Sequence, residues 1–165
     1  MSGTRDGRMR LLTFSAILWF LADQLSKLAV LHWAGLLERG VIEVFPPLLV
    51  FRLGYNTGIN FGLFSGGPEV TRWVLVAIAL AISAWLIWWA RTGLTRPIAL
   101  ISAGAVIGGA LANALDRVLI GAVVDFLNMS CCGIVNPFSF NVADIGIVTG
   151  ALGLLIFADA PKNES

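Results

Sequence analysis

The chain has 165 residues, of which 58% are hydrophobic and 13% are charged, and its formal net charge is +1. A soluble domain of this length could not bury so large an apolar fraction, so the composition indicates a membrane protein of one domain. The balanced charge argues against a nucleic-acid partner. The sequence also contains neither a phosphate-binding glycine loop nor a zinc-type spacing of cysteine and histidine, and we expect no metal and no cofactor.

The first apolar run covers about residues 11–31 and follows a short polar segment. It is long enough to cross a bilayer, and more apolar runs follow it, so we interpret it as a transmembrane helix and not as a cleaved signal peptide. Near its end Asp23 and Lys27 are four residues apart and share one helical face. They could form a neutralised ion pair at the end of the span, or a network that supports a functional site.

Residues 32–72 do not form a span. Residues 41–67 combine β-branched and aromatic residues with glycines and a pair of prolines, which is typical of short strands and turns. We expect a small β-sheet on the membrane surface here. The segment 55–62 within it could be a turn with exposed aromatic side chains, or a glycine-rich backbone that brings Asn56 close to an extended peptide.

Three more apolar runs predict spans at about residues 73–90, 97–119 and 142–158. Tryptophans at both ends of the second span suit the two membrane interfaces, and small residues along the third allow close packing between helices. We therefore predict an all-α polytopic membrane protein, a single domain with four transmembrane helices and a small β-sheet between the first and second.

Polar residues cluster where the third span ends and around the start of the fourth. Asn113, Asp116 and Arg117 could simply terminate the third span, or they could form a buried network. Two more acids, Asp125 and Asp144, lie beside apolar runs, where carboxylates are costly to place.

The distribution of arginine and lysine predicts the orientation. The N-terminal segment and the 91–96 connection carry arginines with little balancing acid, so by the positive-inside rule they are cytoplasmic, as are both termini. Segments 32–72 and 120–141 are then extracytoplasmic. The out-of-place polar residues all fall in one layer near the outer surface, namely Asp23, Lys27, Asn56, Asn113, Asp116, Arg117, Asp125, Asn141 and Asp144.

A pair of carboxylates in such a layer can perform acid–base chemistry. When two are held close, one pKa rises; the charged member can activate water and the protonated member can assist the leaving group. A serine mechanism would need a base, and the single histidine, His32, is far from any motif-like serine. We therefore favour Asp125 and Asp144 as an aspartic-protease pair. The alternatives are a small proton-coupled transporter subunit and a non-catalytic scaffold.

Four motifs, taken together, resemble the bacterial lipoprotein signal peptidase (signal peptidase II) family. They are Asp23-Gln-Leu-Ser-Lys27, Asn56-Thr-Gly-Ile-Asn-Phe61, Gly108-Gly-Ala-Leu-Ala-Asn113-Ala-Leu-Asp116-Arg117, and Val124-Asp125-Phe126 followed by Phe140-Asn141-Val142-Ala143-Asp144. The resemblance implies an aspartic endopeptidase of the bacterial inner membrane that cuts prolipoproteins just before the diacylglyceryl-modified cysteine.

The same resemblance implies roles for individual residues. Asp125 and Asp144 match the catalytic pair. The matching substrate-binding or supporting residues are Asp23, Lys27, Asn56, Gly108, Asn113, Asp116, Arg117, Asn141 and Ala143. It further implies a β-cradle at about residues 42–64, partners that comprise the prolipoprotein and membrane lipids, and sensitivity to the cyclic peptide globomycin.

Two adjacent cysteines, Cys131 and Cys132, lie between the two candidate catalytic acids. Neighbouring cysteines rarely bond to each other because the bond strains the intervening peptide, so we interpret them as free thiols. They belong to segment 129–137, which the family motifs do not cover.

Overall fold

The structure is a computed structural model that describes residues 2–58 and 67–158, with the side chains of residues 2–5 and Pro68 excepted. Helix α1 (Ser2–Leu28) continues through a wider π-helical turn (Ala29–Trp33). The remaining helices are α2 (Leu36–Arg39), α3 (Gly67–Thr92), α4 (Pro97–Ile120) and α5 (Val142–Phe157). Strands β1 (Val41–Phe45), β2 (Leu49–Asn56) and β3 (Val123–Asn128) form an antiparallel sheet in the order β1-β2-β3.

Three helical stretches in the described part of the chain are long and apolar enough to cross a membrane: Asp6–Trp33, Glu69–Thr92 and Pro97–Ile120. They contain the first three predicted spans. Helix α5 is apolar but has only 16 residues, which rise about 24 Å, less than a hydrocarbon core of roughly 30 Å. The fourth span therefore stays a prediction.

Helix α4 is the centre of the helical part, since it packs against α1, α3 and α5 and most of its residues are buried. Its glycines let neighbouring backbones touch it. A Cβ atom added to Gly104 would lie 2.5 Å from the carbonyl oxygen of Leu12 in α1, and one added to Gly109 would lie 2.5 Å from that of Ala143 in α5. In lipid, such close packing of small residues is a main source of helix association.

The sheet departs from the prediction in its third strand. We predicted a sheet between the first two spans and gave residues 120–141 only as an extracytoplasmic connection, but β3 lies in that connection and pairs with β2, with Gly54 opposite Asp125. The run of β-branched and aromatic residues at the start of β3 is a strand signal that we missed. Of the segment 55–62, Ile59 and the residues after it lie outside the described residues.

A short backbone bridge joins β3 to the start of α5. Phe140 donates its N–H to the carbonyl oxygen of Leu127 at 2.9 Å and accepts the N–H of Leu127 at 2.8 Å. The bridge places Asn141, the residue that caps α5, directly beside the strand that carries Asp125. Two regions 16 residues apart in sequence thus meet at one end of α4.

Replacing Gly108 with alanine should destabilise the protein, because the added Cβ would collide with the backbone of Ala16 in α1. We expect a loss of about 1–3 kcal/mol, the usual cost of overpacking. Gly7→Ala is the matched control: among the described residues, no atom beyond its own stretch of helix lies within 4 Å of the added Cβ, so it should gain up to about 1 kcal/mol from helix propensity. Thermal unfolding in detergent, followed by tryptophan fluorescence, compares the two variants. Equal stability of both would contradict this packing.

Candidate active site

A buried lysine joins two buried carboxylates on different helices. The Nζ atom of Lys27 lies 2.6 Å from Oδ2 of Asp23, one turn earlier in α1, and 2.7 Å from Oδ2 of Asp116 in α4. All three side chains are buried. We call this group the lysine clamp (Asp23, Lys27 and Asp116). The ion pair predicted within α1 is therefore part of a larger network.

The two carboxylates of the lysine clamp also hold the backbone next to the candidate catalytic acids. Oδ1 of Asp23 accepts the N–H of Ala143 at 2.9 Å, and Oδ2 of Asp116 accepts the N–H of Val124 at 3.1 Å. These two backbone groups immediately precede Asp144 and Asp125 in the sequence. The clamp therefore fixes the chain on the N-terminal side of both acids.

Gln24 donates to both carboxylates of the lysine clamp, a role that the sequence did not reveal. Its Nε2 donates to Oδ1 of Asp116 at 3.0 Å and to Oδ2 of Asp23 at 3.2 Å. Hydrogen bonds from an uncharged donor help to offset the desolvation of the two buried carboxylates. The sequence signal that could have indicated this role is a polar, uncharged side chain next to Asp23 within an apolar run.

Two asparagine side chains connect Asp125 to Asp144. Asn141 donates from Nδ2 to Oδ1 of Asp125 at 2.7 Å and to Oδ1 of Asn113 at 3.1 Å. Asn113 in turn donates from Nδ2 to Oδ1 of Asp144 at 2.9 Å. The chain of amides ties both acids into one hydrogen-bonded unit.

Asn141 also binds Asp144 directly through a capping box at the start of α5. Its Oδ1 accepts the N–H of Asp144 at 2.9 Å, and its own N–H donates to Oδ2 of Asp144 at 3.2 Å. Such a box satisfies two backbone donors of a helix N-terminus. As a result both acids form hydrogen bonds with the same residue.

The surroundings of the two acids differ. Burial, and secondarily the charge of Asp144, raise the pKa of Asp125 to about 6, although hydrogen bonds from Asn56 and Asn141 act in the opposite direction. Asp144 is partly exposed and lies in the first turn of α5, where the helix dipole stabilises negative charge. The two acids therefore differ in burial and in the element that carries them.

A cavity of about 700 Å³ adjoins Asp125. It is lined by Arg52, Leu53, Gly54, Tyr55, Asn56, Gly58, Leu75, Arg117, Asp125, Pro137, Phe138 and Ser139. Arg117 donates from Nη1 to the carbonyl oxygen of Asn113 at 3.3 Å, while its buried Nε has no hydrogen-bond partner among residues 2–58 and 67–158. The cavity thus presents a cation and an amide beside a carboxyl group.

The structure brings nearly all of the predicted site residues together. Nine polar side chains form the clamp, the amide chain and the adjoining cavity wall. Gly108 lies apart from the cavity, packed against Ala16 and Trp19 of α1, and Ala143 takes part through its backbone N–H.

Lys27→Met should destabilise the protein strongly, because it leaves two buried carboxylates without a counter-charge. We expect a loss of about 3–5 kcal/mol. Gln24→Met removes one neutral donor and should cost about 1–3 kcal/mol. Thermal unfolding in detergent compares both variants with the triple variant Asp23→Asn, Lys27→Met, Asp116→Asn, in which stability should be partly restored. A Lys27→Met protein as stable as the original would refute the role of the clamp.

The chain has relatives in both sequence and structure. It is 42% identical to a lipoprotein signal peptidase of Rhodopseudomonas palustris, over 89% of this chain and 90% of that protein. A lipoprotein signal peptidase of Methylorubrum extorquens is 36% identical over 100% of this chain and 93% of its own length. A bacterial membrane enzyme solved by the in meso method at 1.9 Å resolution superposes with a TM-score of 0.72 at 25% identity, covering 97% of this chain and 95% of that one.

The family model described as signal peptidase (SPase) II matches residues 15–159. This range includes every residue of the lysine clamp, the amide chain and the two acids they connect. The match covers most of the chain and agrees with the resemblance in its motifs. The chain therefore belongs to the signal peptidase II family, whose members are bacterial membrane peptidases that remove signal peptides from prolipoproteins.

Proposed function

We propose that this peptidase is of the aspartic type, with Asp125 and Asp144 as its catalytic pair. The observation that carries the proposal is that Asn141 forms hydrogen bonds with both carboxylates, while burial and helix position give the two acids unlike environments. Unlike environments divide acid and base roles between paired carboxylates.

Asp144, in its charged form, takes a proton from a water molecule, and the water oxygen attacks the scissile carbonyl carbon. Asp125, in its protonated form, polarises the carbonyl oxygen and then provides the proton for the departing nitrogen as the C–N bond breaks. Arg117 and Asn56 border the same cavity and can donate to the oxygen on which negative charge develops.

The substrate of this proposal is a diacylglyceryl-modified prolipoprotein, cut just before its lipidated cysteine. The cavity lies where β2, β3 and the end of α4 meet, so an extended segment that leaves the bilayer can lie beside Asp125. Basic residues near the N-terminus and in the 91–96 connection support cytoplasmic termini. The site then faces the outer side of the inner membrane, where membrane lipids and a globomycin-type inhibitor can reach it.

A small proton-coupled transporter subunit is one alternative. A proton path needs carboxylates at several depths, whereas Asp23, Asp116, Asp125 and Asp144 are linked in one cluster by the lysine clamp and its hydrogen bonds. No observation on the described residues favours transport over hydrolysis.

Asp125→Asn and Asp144→Asn should each abolish cleavage of a lipid-modified precursor while the protein still inserts and folds. We expect a loss of at least about 10²–10⁴-fold in kcat, the usual contribution of general acid–base catalysis. Glu43→Gln is the matched control. It replaces an exposed carboxyl group on β1 with an amide and should retain activity. Precursor cleavage by purified protein in micelles gives the rates. Substantial activity in either aspartate variant would exclude the catalytic pair.

The pH dependence tests the assignment of Asp125 as the acid. Its protonated form is needed, so kcat/KM should fall as pH rises through about 6, the raised pKa. Asn56→Ala removes a hydrogen bond that stabilises the charged form, which raises this pKa and moves the descending limb to higher pH. Asn136→Ala, whose side chain accepts from Phe138, should leave the limb in place. An unchanged limb in Asn56→Ala would argue against Asp125 as the acid.

A further inference from the structure

The two cysteines lie in a tight turn on the loop that follows β3. The N–H of Ile134 donates to the carbonyl oxygen of Cys131 at 2.9 Å, which closes a four-residue turn. Both central residues have positive φ, 59° at Cys132 and 82° at Gly133, as in a type I′ turn. Glycine adopts this conformation readily, but a cysteine in it is uncommon.

The turn brings the two sulfur atoms together. Both side chains are exposed, and the Sγ atoms lie 2.7 Å apart. This separation is longer than an S–S bond of about 2.0 Å, so the two thiols are in contact without being bonded. As predicted, both cysteines are free thiols. The left-handed conformation of Cys132 nevertheless places the two sulfur atoms next to each other.

We propose that Cys131 and Cys132 form a reversible oxidation site that closes to a disulfide between neighbouring residues. The partner is a small molecule or protein that carries a disulfide. A thiolate of the pair attacks one sulfur of that disulfide and releases the first thiol, which leaves a mixed disulfide on the turn. The second cysteine then attacks the protein sulfur of the mixed disulfide and releases the second thiol. One S–S bond forms in the turn and one breaks in the oxidant. The turn loses two electrons and two protons, and the oxidant gains them as two thiols.

The covalent geometry makes this disulfide easy to reduce again. Neighbouring Cα atoms are about 3.8 Å apart, whereas disulfides usually join Cα atoms 4.4–6.8 Å apart. Strained and exposed disulfides have more oxidising potentials and behave as labile bonds. The pair therefore suits a reversible modification more than a permanent cross-link.

The oxidation site lies on the same loop as part of the cavity wall. The Asn128 side chain donates to the carbonyl oxygens of Asn136 and Phe138 at 2.9 and 2.8 Å, and the Ser130 hydroxyl accepts the N–H of Asn136 at 3.0 Å. Phe138 and the neighbouring Ser139 line the cavity beside Asp125. Oxidation of the two cysteines depends on the turn alone and does not require the aspartic mechanism.

Counting thiols in the full-length protein tests the proposal, since the chain contains only these two cysteines. The purified protein in detergent is reduced with dithiothreitol, desalted and treated with oxidised glutathione. It is then denatured, labelled with N-ethylmaleimide and weighed intact. We expect two labels before oxidation. After it we expect no label and a mass lower by two hydrogen atoms, fully reversed by dithiothreitol. The variants Cys131→Ser and Cys132→Ser each have one cysteine, and its sulfur should carry either maleimide or glutathione.

Three outcomes would overturn the proposal: two labels after oxidation, a lasting glutathione adduct on the unmodified chain, or a disulfide-linked dimer on a non-reducing gel. Gly133→Val tests the turn itself, because valine disfavours positive φ while both thiols remain. At a fixed concentration of oxidised glutathione, the thiols of this variant should become unreactive toward maleimide about tenfold more slowly than those of the unmodified chain. An unchanged rate would show that the turn does not bring the sulfurs together.

Discussion

The site depends on the ion pairs that the buried ammonium of Lys27 forms with two carboxylates. The ammonium lies between Asp23 and Asp116, and each of these carboxylates holds the backbone N–H of a residue next to a candidate catalytic acid. A buried charge must keep its partners, because an uncompensated carboxylate in this environment is costly. Because a buried charge without a partner is costly, the contacts of Lys27, Asp23 and Asp116 favour one arrangement of α1, α4, β3 and α5.

Asn141 contacts both acids, but in different ways. It caps α5 through Asp144 and donates to Asp125 in the same conformation. One acid therefore lies at a helix N-terminus and the other within a buried strand. The helix and the strand place the two carboxylates in different surroundings, so secondary structure and the candidate site share the same few hydrogen bonds.

Much of this could be predicted from the sequence because lipid imposes simple rules. Long apolar runs indicate spans, and polar groups within them must find each other, which explains why the layer that contains Asp116 and Asn113 was recognised. Strand β3 was not, because its pairing with β2 joins residues such as Gly54 and Asp125 that are far apart in the chain. The role of Gln24 depends on a contact with another helix, which periodicity within one helix cannot reveal.

The bridge between Leu127 and Phe140 has a consequence for how such proteins can diversify. Its hydrogen bonds hold together the two ends of the loop at residues 128–139, which we call the hairpin. The entropic cost of closing a loop grows only slowly with the length of the loop. Residues can therefore be inserted or exchanged in the hairpin while Asp125 and Asn141 keep their spacing. An epitope or a fluorophore can be grafted at the turn of the hairpin, away from Pro137, Phe138 and Ser139, which line the cavity beside Asp125.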